Sequence, residues 1–387
     1  MTRKIVALLA SASALALTGV ASADTHAPKL PASNVWTAYD LGSSGYAEAA
    51  GIANAFQQQF RARVRIIPSG TSIGRMLPLV TGKAQFGFLA NEAFFAAEGS
   101  YDFAVPEWGP QDIRIISGRI ATVGLAVAGD IGVKSISDLK GKRIGYVKGN
   151  PSVNVKNDAY LAFGGLTQAD IQVVWFGSYG AMKTAVIAGQ LDAFGSVTTS
   201  ANMREIEASP RGLIWPPFPP EDKEGWKNVT DVVSFAAPAQ ETQGAAVSKE
   251  NPVWLVGYRY PMITTYAAST STDTAYQMIK GLDVAFDAYS KTTASSFNWK
   301  VENSGRPPYD APAHDGTIQY MKEKGWWRAE DQAWQDKRLA RLNSVLENWD
   351  LAQAAFTEYQ IAEKDKGNKV GDDKWLEFWD EWRAKNL

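Results

Sequence analysis

Short apolar runs alternate with amphipathic ones from Val35 to about Val197. Val64–Ile67, Phe86–Leu89, Ile113–Ile116, Ile144–Val147 and Val173–Phe176 are brief and rich in β-branched or aromatic residues, which predicts strands. Between them apolar residues recur with helical spacing: Ala49, Ile52, Ala53, Phe56 and Phe60 share one face, as do Met182, Ala185, Val186 and Gly189. Strands alternating with helices predict βαβ units, an α/β fold and mostly parallel sheets. Such sheets bind ligands beyond the C-terminal ends of their strands, where helices begin.

Two shifts of pattern suggest boundaries. Gly118–Gly129 turns small and apolar, as a crossover into a second lobe would be, and Pro216-Pro217-Phe218-Pro219-Pro220 reads as a stiff surface segment before the chain returns. From about Lys291 the chain reads as helical, charged and rich in tryptophan: Trp326, Trp327, Trp334, Trp349, Trp375, Trp379 and Trp382. Their expected role is packing between helices. The expected division is a leader to residue 23, a first lobe over 24–120, a second over 121–230, a return to the first over 231–300, and a helical Trp-rich region over 301–387.

The leader has its own pattern. Arg3 and Lys4 precede an apolar run from Ile5 to about Val20, which ends in Ala21-Ser22-Ala23. A basic start, an apolar core and small residues at the end predict a secretory signal cleaved after Ala23, and so a periplasmic protein. The run is shorter than the roughly 20 apolar residues of a spanning helix, and Ser11, Ser13 and Thr18 interrupt it.

Composition removes several kinds of chemistry. The 387 residues carry a net charge of -2, without the basic face that a nucleic-acid partner calls for. There is no cysteine, and the two histidines are His26 and His314. Thiol catalysis and cysteine metal sites are excluded, and a zinc site or a Ser-His-Asp triad would rest on His314 alone. No cofactor or metal is expected, and His314, in a Pro/Ala/Asp loop, is expected to be structural.

The candidate chemistry lies in four small, polar, Gly-containing loops that each follow a strand and open a helix. They are Gly42-Ser43-Ser44-Gly45-Tyr46, Ser69-Gly70-Thr71-Ser72, Gly149-Asn150-Pro151-Ser152 and Gly177-Ser178-Tyr179-Gly180. A helix start offers free N–H groups and a partial positive charge, and so suits an anion. Glycine allows close backbone approach. Ser43, Ser44, Thr71, Ser72, Asn150, Pro151 and Ser152 are therefore candidate ligand-binding residues, the alternative being ordinary helix caps. Arg75, one turn into its helix, serves either a ligand carboxylate or the solvated surface. Asn91 and Glu92 follow a strand, where a ligand contact is expected, though Glu92 also suits a helix start. Tyr46 and Tyr179 either close over a ligand or pack. Ser196, Thr198 and Thr199 are candidates for the lip of a cleft.

These motifs, in this order, resemble the TAXI class of solute receptors of TRAP (tripartite ATP-independent periplasmic) transporters. The loop through Tyr46 is similar to that family's Gly-Thr-Tyr-Tyr-Pro segment, and Ser69–Ile73 to its Thr-Gly-Gly-Ser-Val segment. Leu79–Gly99 is similar to its Gly-Glu-Ala-Asp stretch. Ile136–Ile144 with Gly149–Ser152 resembles its Leu-Lys-Gly-Lys-Arg strand and following loop. Gly189–Ala193 resembles its Gly-Gln-Ile-Asp-Ala turn, and Pro312–Gly325 its Pro-His-x-Gly terminus. The resemblance covers roughly Val35 to Gly325. It implies a type II periplasmic-binding-protein fold: two lobes with mixed, mostly parallel sheets, a hinge crossover and a buried ligand, here followed by a helical C-terminal extension. It also implies docking on TRAP membrane subunits and a small anionic solute: a dicarboxylate, keto acid or acidic amino acid. A monomer without catalysis is expected. Gly45, Arg75 and Asn150 depart from the family's usual tyrosine, asparagine and serine, so the ligand does not carry over directly. A ligand-sensing subunit for a membrane signalling protein, or an enzyme on the same two-lobe fold, are the alternatives.

Overall fold

The computed structural model describes residues 27–387; the secretory-signal reading and His26 lie outside the described residues. Ten strands form one sheet: β1 (Ser33–Ala38), β2 (Arg63–Pro68), β3 (Phe86–Leu89), β4 (Ile113–Ala128), β5 (Arg143–Val147), β6 (Gln172–Phe176), β7 (Ala193–Val197), β8 (Leu213–Ile214), β9 (Ala237–Glu241) and β10 (Val253–Tyr266). Their order is β2-β1-β3-β10-β4-β7-β5-β6, with β8 on β4 and β9 on β10. The outer pairs β1/β2, β1/β3, β5/β6 and β5/β7 are parallel, while β4 and β10 run antiparallel to each other and to their neighbours. The five expected strands all form. Every residue of β3, which lies between β1 and β10, is buried, as a strand covered on both faces requires.

Helices α1 (Ser44–Phe60), α2 (Ser72–Val80), α3 (Glu92–Glu98), α4 (Pro151–Phe163), α5 (Tyr179–Ile187), α6 (Ala201–Glu207), α7 (Lys223–Val232) and α8 (Thr272–Val284) cover the sheet. The apolar stripe expected on α1 is its buried face: Ala49, Ile52, Ala53 and Phe56 join Trp36, Phe86, Phe88 and Trp299 in one core. A larger core fills the other half of the sheet, from Leu125 and Tyr146 to Phe194 and Phe218.

Three expectations are sharpened by the structure. Gly118–Gly129, expected as a crossover into a second lobe, is mostly the second half of β4, a strand of 16 residues that carries the chain from one half of the sheet into the other. Its small residues follow from crowding: a Cβ on Gly118 would lie 2.5 Å from Met262, and one on Gly124 2.9 Å from Leu255. β4 and β10 thus run through both halves of the sheet, and their pairing shifts register between Arg259 and Met262. The proline segment at 216–220 is only partly a surface feature: Pro217 is exposed, but Phe218 is fully buried with its ring 4.9 Å from Phe163 and 5.7 Å from Tyr160. Nor is the tail uniformly helical from Lys291. Residues 291–328 form short turns and helices built into the first core, and beyond them come the helices Ala329–Asp365 and Trp375–Asn386. Trp349, Trp375 and Trp379 pack together there, with Trp349 edge-on to both others at 4.9 and 4.8 Å. His314 is structural: its Nδ1 accepts from the Gly316 amide at the start of the helix Asp315–Glu323.

Candidate functional site

Each of the four loops opens a helix. Ser43 Oγ accepts from the Tyr46 amide at 3.1 Å and caps α1. Thr71 Oγ1 accepts from the Gly74 amide at 3.0 Å and caps α2. Pro151 is the first residue of α4, where its missing N–H costs nothing. Ser178 precedes α5.

Three of these tips close directly on one another. Ser72 Oγ donates to Asn150 Oδ1 at 2.8 Å, and Asn150 Nδ2 donates to the Gly70 carbonyl at 3.0 Å. Ser152 Oγ also donates to Asn150 Oδ1, at 3.3 Å, and shares a 2.8 Å bond with the Tyr39 hydroxyl. The Tyr179 amide donates to the Gly70 carbonyl at 3.2 Å, and the Gly180 amide to Asp40 Oδ2 at 2.8 Å. Asn150 is completely buried in this junction. The loops after β1 and β2 are thereby joined to those after β5 and β6.

Arg75 does not reach a cavity. Its Nε donates to Glu92 Oε1 at 2.7 Å, Nη1 to the Ser69 carbonyl at 3.0 Å and Nη2 to Ser72 Oγ at 3.3 Å. Its guanidinium stacks 3.4 Å from the centre of the Tyr39 ring. Both partners of the Arg75–Glu92 pair are fully buried. A buried guanidinium persists only when paired and hydrogen-bonded, which these contacts accomplish.

On the other side of Tyr39 lies a narrow cavity of about 40 Å³. Its wall combines the start of α1 (Ser43, Ser44), one face of α4 (Val153, Lys156, Tyr160), β7 with the turn that leads to α6 (Gly195, Ser196, Val197, Ser200), and Tyr39, Tyr179, Tyr258 and Tyr260. Among these residues Lys156 is the only charged one. Four phenols are tied in three bonds: Tyr39 to Ser152, Tyr179 to Ser196 at 2.6 Å, and Tyr160 to Tyr258 at 3.2 Å. Ser44 is buried in the wall and its Oγ has no hydrogen-bond partner.

Lys156 bonds no carboxylate. Its Nζ donates to Asn91 Oδ1 at 2.9 Å and sits 4.4 Å from the centre of the Tyr258 ring. Asn91 precedes α3 without capping it, and its Nδ2 donates instead to Asp310 Oδ2 at 2.9 Å. Burial pushes the Lys156 ammonium down to about 7, against the pull of Glu92 and Asp310. Burial pushes the Asp310 carboxyl up to about 7, against the Asn91 bond and the charges of Arg338 and Lys156.

Of the candidates read from the sequence, the structure brings Ser43, Ser44, Tyr179 and Ser196 to the cavity wall. Ser72, Asn150 and Ser152 form the junction between loops, Thr71 and Pro151 shape helix starts, and Asn91, Glu92 and Arg75 stand behind the wall. Tyr46 lies elsewhere, in a shallow depression with Ala50 and Asn54. Thr198 donates its hydroxyl to the Gln243 carbonyl at 2.7 Å, and Thr199 opens on a separate crevice beside Arg119 and Ser295. Sequence reasoning missed Tyr39, Lys156, Tyr160, Ser200, Tyr258 and Tyr260. A signal existed for α4: Val153, Lys156 and Tyr160 share the helical face that comes after the Gly149–Ser152 loop.

The NMT1-like family profile matches residues 40–325. No curated protein matches the chain significantly. Among solved structures, the alkanesulfonate-binding protein SsuA from Xanthomonas axonopodis pv. citri, bound to MOPS, is 17% identical over 76% of this chain and 84% of its own, with a TM-score of 0.40. The periplasmic aliphatic sulphonate binding protein SsuA from Escherichia coli is 17% identical over 82% of this chain and 88% of its own, with a TM-score of 0.38. An ancestral arginine-binding protein bound to glutamine is 14% identical over 68% of this chain and 98% of its own, with a TM-score of 0.39. The family match takes in the whole cavity lining except Tyr39, and this chain belongs to the NMT1-like family.

Proposed function

We propose that this protein is an exported receptor that encloses one small organic anion between the two halves of its sheet and passes it to the membrane subunits of a TRAP-type transporter. The observation that carries the reading is Lys156, a buried cation in the wall of an aromatic cavity, bonded to a neutral amide and not to a carboxylate. A cation held this way costs free energy that a solute carboxylate would recover. Ser44 Oγ, the start of α1 and the Tyr260 hydroxyl supply further polar contacts, and the tyrosine rings suit an apolar body.

The geometry favours a single anionic group over two. Arg75, the residue expected to read a second acid group, is engaged by Glu92. The ordered motifs shared with TAXI receptors support the TRAP partnership, and the signal-like leader supports a periplasmic setting. The loop junction is the closed arrangement of a two-lobed receptor, with β4 and β10 as the strands that would flex.

A thermal-shift screen tests this. L-glutamate, 2-oxoglutarate, succinate and phenylacetate are compared with their amides. At least one acid is expected to raise the melting temperature while its amide does not. Equal shifts from acid and amide, or none from any acid, would overturn the reading.

A further inference from the structure

The C-terminal helices begin beyond residue 325, where the family match ends. They nevertheless reach the cavity through α3. Glu98, at the far end of α3, is nearly buried and receives Arg338 Nη1 at 2.6 Å and Arg341 Nη2 at 2.7 Å. The Trp379 indole donates to the Gly99 carbonyl just past α3 at 2.7 Å, and the Trp375 indole to Ala104 at 2.8 Å. The near end of α3 carries Asn91 and Glu92, which hold Lys156 and Arg75. Arg338 grips a second point: its Nε donates to the Asp310 carbonyl at 3.0 Å, Nη2 donates to the same oxygen, and its guanidinium lies 5.0 Å from the Phe94 ring centre. Asp310 in turn accepts from Asn91 at 2.9 Å.

We propose that Arg338 is a positioning residue: from the C-terminal extension it fixes α3 and Asp310 together, so that Asn91 holds Lys156 in place for an anionic solute. The solute rests on the proposed reading of the cavity; the coupling from Arg338 to Lys156 does not. The charged and titratable groups facing Lys156 are Glu92 at α3, Asp310, Arg75 on α2 and Tyr258 on β10. Asp310 faces Arg338, Lys156 and Glu92. Arg338 favours the Asp310 carboxylate, and that carboxylate favours the Lys156 ammonium. Removing Arg338 therefore raises the Asp310 carboxyl further, weakens its pull on Lys156, and lowers the pH at which Lys156 loses its proton.

The test uses full-length protein with isotopically labelled lysine, titrated by NMR, with the Lys156 signal assigned from a Lys156→Arg variant. In Arg338→Gln the Lys156 midpoint is expected to fall by roughly half a pH unit or more. Arg338→Lys, whose single ammonium cannot bond both Glu98 and Asp310 as the guanidinium does, is expected to give a smaller fall, and it carries the test if Arg338→Gln does not fold. Arg341→Gln is the control: Arg341 bonds Glu98 and Leu387 instead of Asp310, so the midpoint should stay in place. An unchanged midpoint in both Arg338 variants, or the same fall in Arg341→Gln, would overturn the proposal. The titration needs no solute. If none of the four acids binds the wild-type protein, the cavity reading fails while the NMR result still decides the role of Arg338.

Discussion

Lys156 is buried, and its bonding partner is neutral. Its ammonium is destabilised by desolvation and sustained by Glu92 and Asp310, which leaves it titrating near 7. Because a bound anion stabilises the charged form, solute affinity should be highest when Lys156 is protonated and should fall as pH rises through that value. Calorimetry of the same acid at mildly acidic and at alkaline pH is expected to show a loss of roughly tenfold or more, about 1.4 kcal/mol per tenfold. The two arginine–glutamate pairs behave differently. Arg75–Glu92 and Arg119–Glu48 are buried and closely bonded, and Glu48 also accepts from Ser295 and Trp299. Neutralising one partner strands the other, so Glu92→Gln and Glu48→Gln should each cost about 3–5 kcal/mol in urea denaturation. The position of Arg75 near a helix start was legible in the sequence, but its direction was not. Glu92 is 17 residues away, and nothing in the residue order says that the two side chains meet.

At the scale of elements, the helix starts were legible because their chemistry is local: a Ser, Thr or Asn ahead of an apolar periodic run announces a cap. What the loops do to each other depends on how the chain is brought together, and Asn150 shows the difference. It is placed like a cap residue yet spends its amide on Gly70 and its carbonyl on Ser72 and Ser152. Asn150→Ala removes all three bonds from a buried site, where each unmet partner costs about 1–3 kcal/mol. It should loosen the closed form, and the Tyr179 amide, which donates to the same Gly70 carbonyl, should exchange faster with deuterium than in wild type. The C-terminal helices were legible in a coarser way. Their tryptophans were read as packing residues, and Trp379 is fully buried between Trp349 and Trp375. Trp379→Ala should destabilise the protein by about 3–5 kcal/mol, measured by chemical denaturation.

For the molecule as a whole, strand–helix alternation gave the α/β class, since each period is written in a few consecutive residues. It could not give the long central strands. The glycines in β4 resemble a connector in sequence because they leave room for Met262 and Leu255, which are more than a hundred residues distant. The crossover reading therefore did not show that this segment is itself a strand, paired antiparallel with β10 across the sheet and beside the cavity. The same distance hid Tyr258 and Tyr260 on β10, and with them two of the five tyrosines that line the cavity. The central claim is that one buried cation in this lining selects an anionic solute. Calorimetric titration of the best acid from the screen into wild type and into Lys156→Met tests it most directly, because methionine keeps the side chain's bulk and removes its charge. The account predicts one binding site in the wild type and a loss of at least roughly tenfold in a folded Lys156→Met protein. Equal affinity in the two proteins would contradict it.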